Sequence, residues 1–148
     1  SEIDFLKFDL TDENLSEYFQ SDETNIVMCL YNTLGVIPSD KRQKFINNMK
    51  NIAGENGLTI LTAFNGDNFG FVAPKLYNPM IPMIKQIDQD SFDETNRVFQ
   101  NGLGFRSQWF TKNELKLMLD TNVEPIPINV TINDTSHTFG NVFIDRNI

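Results

Sequence analysis

The chain has few side chains able to do covalent or metal chemistry. Among its 148 residues are one cysteine, Cys29, and one histidine, His137. One of each cannot supply the three or four nitrogen and sulfur ligands of a zinc site. No G-x-S-x-G surrounds a serine, so nucleophilic hydrolysis by a serine–histidine–carboxylate triad is excluded. Cys29 lies inside the apolar run N-I-V-M-C-L, where a cysteine acts as a small core residue rather than a nucleophile. Phosphate-cradling loops are missing as well, since no G-x-x-x-x-G-K and no G-x-G-x-x-G follows a strand. Polar residues close the apolar runs: Asp9 follows Ile3–Phe8, Tyr31 and Asn32 follow residues 25–30, and Asn65 follows Leu58–Phe64.

The elements that must position them alternate. The run 25–30 reads as a strand buried on both faces. Ser39 is expected to cap a helix of about 14 residues, in which Phe45, Ile46, Met49, Ile52 and Ala53 form one apolar stripe. Gly54 and Gly57 end it, and Leu58–Phe64 gives the next buried strand. Strand, helix and strand in that order predict a βαβ crossover in a parallel sheet. Thr11 or Asp12 is expected to cap a short helix nearer the start. Residues 65–105 are broken by Gly66, Gly70, Pro74, Pro79 and Pro82 and read as a long irregular segment. Thr111 and Glu114 form a T-x-x-E capping box, with Phe110 and Leu115 at the spacing of a hydrophobic staple. Two C-terminal strands, residues 124–132 and 137–144, are expected around a turn at residues 133–136.

The net charge of −8 disfavours nucleic acid and anionic lipid as partners. Lys41, Arg42 and Lys44 read as a solvated helix face. No run approaches the roughly 20 apolar residues of a membrane span, and the single cysteine fits a reducing, cytoplasmic setting.

Four segments in order resemble the back half of class I S-adenosylmethionine (SAM) methyltransferases. I-D-F-L-K-F-D-L-T-D (residues 3–12) is similar to the third strand and its acidic turn. N-I-V-M-C-L-Y-N-T-L-G-V-I (25–37) is similar to the fourth strand. The helix after Asp40 with G-E-N-G-L-T-I-L-T-A-F-N (54–65) resembles the following helix and fifth strand. S-Q-W-F-T-K-N-E-L-K-L-M-L (107–119) resembles the run before the last hairpin. Asn25 stands where the family often has Asp, and Glu55-Asn56-Gly57 replaces Pro-Gly-Gly.

The resemblance implies a single α/β domain over residues 1–148. Its partial Rossmann-like sheet would be mostly parallel, with a C-terminal antiparallel hairpin and helices on both faces. It further implies a SAM-dependent enzyme working by direct methyl displacement on a small-molecule or polar acceptor. Asp9, Leu10, Leu30, Tyr31 and Asn32 are then expected at the cofactor. Phe64, Asn65, Arg106 and Trp109 are expected at the substrate, with residues 65–105 covering it and Tyr31 as the candidate base. In that fold the strand at 25–30 has a further neighbour, so its free edge is expected to pair in a homodimer or with a missing N-terminal half. The contrasting expectation is a non-catalytic α/β binding module derived from such an enzyme.

Overall fold

The computed structural model describes residues 9–11, 19, 25–80, 83, 87 and 91–146. The expected strand at 3–8 and the short helix capped by Thr11 or Asp12 lie outside these residues. Four strands form the main sheet: β1 (Ile26–Cys29), β2 (Leu58–Phe64), β6 (Ile126–Ile132) and β7 (Thr135–Arg146), in the order β1-β2-β7-β6. Between β1 and β2 run α1 (Thr33–Val36) and α2 (Arg42–Ala53). The crossover pairs β1 with β2 in parallel, Ile26 opposite Leu58 and Cys29 opposite Leu61. The βαβ unit is therefore present as its periodicity predicts.

The sheet is mixed and mostly antiparallel rather than mostly parallel, because the C-terminal hairpin supplies half of its described strands. β7 runs antiparallel to both β2 and β6. The hairpin is also tighter than the four-residue turn read from the sequence. Ile132 pairs with Thr135 across Asn133 and Asp134, both at positive φ (50° and 60°). Asn and Asp tolerate that left-handed backbone, which matches the twist of the flanking strands. Pro127 falls in β6, an edge strand, where its missing N–H costs no ladder bond.

Residues 65–105 hold more structure than their prolines suggest. They contain α3 (Phe69–Tyr77), β3 (Phe92–Asp93) and β4 (Val98–Gln100). With β5 (Arg106–Gln108), the strands form a small antiparallel sheet in the order β3-β4-β5. Pro74 sits inside α3, and the carbonyl it leaves without a donor is that of Gly70, an exposed residue that water can reach.

Two cores result. On one face of the main sheet, Phe45, Ile46 and Met49 of α2 pack with Leu115 and Leu119 of α4 (Lys112–Leu119) over Cys29, Leu61, Ala63 and Phe143. Around the carboxyl end of β2, Phe64 packs with Phe69, Val72, Ala73, Tyr77, Phe99 and Trp109.

The opposite face of the main sheet is uncovered among the described residues. Ile26 and Met28 are 62% and 60% exposed, and Ile126 and Ile144 are also open. Among the described residues, β1 is buried on one side only, and α2 and α4 share a face of the sheet.

Helix α4 starts as its sequence dictates. The Thr111 hydroxyl accepts from the Glu114 N–H (3.2 Å), and Glu114 Oε2 accepts from the Thr111 N–H (2.8 Å). Glu114 also receives the Arg97 guanidinium. Thr111→Ala is expected to lower stability by about 1 kcal/mol in urea denaturation. Ser39, by contrast, opens a 3-10 turn (Ser39–Lys41) and makes no side-chain cap.

Candidate functional site

The carboxyl ends of β1 and β2 meet β6 and β7 around a pocket of about 370 Å³. Leu30, Tyr31, Thr62, Ala63, Phe64, Ile128, Phe139 and Gly140 line it. The chain leaves β1 through Tyr31, whose φ of 63° is the left-handed region that bulky residues avoid. Such a conformation costs about 1–2 kcal/mol and persists only where surrounding contacts hold it. One such contact is a hydrogen bond from the Thr62 hydroxyl to the Tyr31 carbonyl at 2.9 Å. The outcome is a tyrosine ring that is 78% exposed and edge-on to Phe64, with 6.1 Å between centroids.

Behind the pocket lies a buried polar network that joins both strand ends to the small sheet. Asn32 Nδ2 donates to the Ser107 hydroxyl and to the Gln108 carbonyl, both at 2.9 Å. Its Oδ1 accepts from the Phe64 N–H at 3.0 Å. Tyr77 donates its hydroxyl proton to Ser107 (3.0 Å) and accepts from the Trp109 indole N–H (3.2 Å). Burial pushes the Tyr77 phenol above its ordinary value, partly offset by these two hydrogen bonds. Sequence reading missed Ser107 and Tyr77, since no local pattern announces a partner 75 residues away.

Arg42 was also misread, because it is buried rather than solvated. Its Nε donates to the carbonyls of Leu34 (3.2 Å) and Ile37 (2.9 Å), and Nη1 donates to Gln108 Oε1 (2.7 Å). The guanidinium lies 5.0 Å from the Phe110 ring centroid. It ties the end of α1 to β5, and burial, together with the charge of Arg106, holds its pKa below the usual arginine value.

Of the residues singled out from the sequence, Leu30, Tyr31 and Phe64 come together in the pocket. Asn32 and Asn65 stand at the same strand ends but turn their amides into the protein. Asn65 donates to the Thr138 carbonyl at 3.2 Å. Trp109 is fully enclosed, its ring 4.8 Å from Phe64 and 5.9 Å from Phe139, so it backs the pocket wall. Arg106 is exposed and borders a separate polar basin with Asp93, Asn96, Gln100 and Asn101. Asp9 is exposed, and its carboxylate, held below the ordinary range, accepts from the Thr11 hydroxyl (2.7 Å) and N–H (2.9 Å). Leu10 leans on α2, where Asn48 donates to its carbonyl at 2.8 Å.

The Cys29 thiol is buried and pushed up to about 11 by desolvation. It is expected to resist a disulfide reagent at pH 8 until the chain is unfolded, which a spectrophotometric thiol count with and without guanidinium measures.

Two solved structures share this fold. A SAM-dependent methyltransferase from Methanosarcina mazei superimposes with a TM-score of 0.55 at 17% identity, over 89% of this chain and 63% of that one. A SAM-dependent methyltransferase from Anabaena variabilis gives 0.53 at 12% identity, over 93% of this chain and 54% of that one. The chain has a class I methyltransferase-like fold. It spans about half to two thirds of the length of these two methyltransferases. No family model and no curated protein matches its sequence. In this methyltransferase-like fold the parallel pair β1–β2 carries Leu30, Tyr31 and Phe64 at its carboxyl edge, where open α/β sheets hold their ligands.

Proposed function

We propose that the chain is the C-terminal portion of a cytoplasmic SAM-dependent methyltransferase, moving a methyl group to a small-molecule or polar acceptor by direct displacement. One observation carries this reading: the gathering of Leu30, Tyr31 and Phe64 into one pocket at the carboxyl edge of the parallel pair. The likeness to the two methyltransferases supports it. In-line displacement at a sulfonium methyl is accelerated by proximity and by a dry, shaped pocket, and it requires no metal or covalent intermediate from the protein.

The chain's own residues fit parts of that task. Asp9 is an exposed carboxylate whose Oδ1 takes both hydrogen bonds from Thr11, and no described residue donates to Oδ2, the oxygen that would accept from an adenine amino group. Leu10, Leu30 and Tyr31 offer backbone and apolar surface to the cofactor, and Asn32 fixes the strand ends beside it. Phe64 faces the acceptor, with Trp109 and Asn65 supporting it. Arg106 borders the separate basin and none of residues 65–105 lines the pocket, so the acceptor role expected of them is not part of this reading. Tyr31 is the candidate base.

The uncovered face and the outer edge of β1 are where the remainder of a methyltransferase domain, or a second copy, would pair. The same exposed apolar face also supports the second reading, a non-catalytic module that works through protein contact. Calorimetric titration with S-adenosylhomocysteine separates the two. The methyltransferase reading expects one site of micromolar affinity in the protein at its natural length. Lack of heat there at a hundred micromolar ligand leaves the contact module.

A further inference from the structure

The pocket at the carboxyl edge has an unusual chemical bias. No charged side chain lines it, and of its two side-chain hydroxyls that of Thr62 is spent on the Tyr31 carbonyl (2.9 Å), which leaves the Tyr31 hydroxyl. At Phe64 the backbone is spent too: its N–H donates to Asn32 (3.0 Å) and its carbonyl accepts from the Phe110 N–H (3.1 Å). Aromatic rings supply the enclosure. Phe64 and Phe139 lie 4.6 Å apart between centroids, and Tyr31 stands at the rim. At about 370 Å³ the space is near the lower end of ligand pockets, which run from roughly 300 to 1,000 Å³.

A ligand entering such a space gains by burying apolar surface and by ring contact. It loses wherever it brings a polar edge that the walls cannot pair. A purine would bring several ring nitrogens and an amino group to walls whose side chains offer one hydroxyl, that of Tyr31, so the adenine of a nucleoside is a poorer occupant than an apolar ring. We infer that this pocket takes an uncharged aromatic ring, the ring of the methyl acceptor, with its polar substituent turned outward past the Tyr31 hydroxyl. The assignment of that ring to the acceptor rests on the methyltransferase reading, whereas its binding does not.

Indole is a suitable probe because it is flat, uncharged and has a single N–H. In saturation-transfer NMR, with affinity taken from a concentration series, indole is expected to bind the folded chain with a Kd on the order of 1 mM or tighter. Adenosine is expected to bind at least about tenfold more weakly. Leu30→Asp places a carboxylate at the rim, on a residue already 52% exposed, and should weaken indole at least about tenfold. Ile128→Lys serves as a second variant with the same expectation. Ile26→Asp lies on the same open face but outside the pocket and should leave the affinity within about twofold. Circular dichroism checks that each variant is folded. Equal loss in Ile26→Asp and Leu30→Asp would mean that indole coats the open sheet, and the inference falls. It falls equally if adenosine matches indole or if indole does not bind the wild-type chain. Since no methyl donor is present, these outcomes are independent of whether S-adenosylhomocysteine binds.

Discussion

Trp109→Ala is expected to destabilise the chain by about 3–5 kcal/mol, the range for removing a fully enclosed large aromatic residue. Trp109 has no exposed surface and sits among Phe64 (4.8 Å), Phe69 (5.5 Å), Phe139 (5.9 Å) and Tyr77 (6.3 Å). The substitution removes these contacts and also strips Tyr77 of the donor at 3.2 Å. Because Phe64 and Phe139 line the pocket, their loss of backing should carry over to ligand binding there. Trp109→Phe keeps most of the packing and should cost about 1–2 kcal/mol, chiefly the missing indole N–H. Urea denaturation followed by circular dichroism measures both. An alanine variant within about 1 kcal/mol of wild type would show that the ring is not in the core.

Asn32→Leu is the second large effect, expected at about 3–4 kcal/mol although the two side chains have similar size. The amide makes three hydrogen bonds, two buried and one part-buried, and leucine removes the partner of the Phe64 N–H and of the Gln108 carbonyl. Each stranded group costs about 1–3 kcal/mol. Asn32→Asp keeps an acceptor for Phe64 but turns an oxygen toward the Gln108 carbonyl, so it should recover little. The crowding around this amide explains Gly35. A β-carbon there would stand 2.3 Å from both Asn32 Nδ2 and the Gln108 oxygen. Gly35→Ala must therefore move the network and should itself cost about 1–3 kcal/mol. If Asn32→Leu proves nearly neutral in the same denaturation assay, the network is not what locks the strand ends.

What could be read in the sequence was what is local. The T-x-x-E box at Thr111, the apolar stripe of α2 and the β1–α2–β2 crossover all declare themselves within a few turns of chain. The errors arose where distant segments decide. An apolar run such as 25–30 reads the same whether one face or both are covered, so the open side of Ile26 and Met28 was invisible. Pro74 suggested a break, yet α3 runs from Phe69 to Tyr77 with Pro74 inside it and Gly70, whose carbonyl loses its donor, exposed. Arg42 follows Lys41 in sequence and reads as surface, but the carbonyls of Leu34 and Ile37 draw it inside. At the candidate site, the resemblance of the segments around β1 and β2 to methyltransferases brought Leu30, Tyr31 and Phe64 into view. Their other walls, Ile128 and Phe139, come from the hairpin more than 60 residues later, and only the sheet order places them there.

The most direct measurement is a ¹H–¹⁵N spectrum of the chain titrated with S-adenosylhomocysteine, a method that detects binding even when Kd is on the order of 1 mM, a free energy of about 4 kcal/mol. The methyltransferase reading predicts saturable shifts at the backbone amides of Leu10, Leu30 and Tyr31, at the carboxyl edge of β1 and in the acidic turn. Unchanged amides at those positions with several millimolar ligand, or shifts confined to the basin around Asp93 and Arg106, would contradict it.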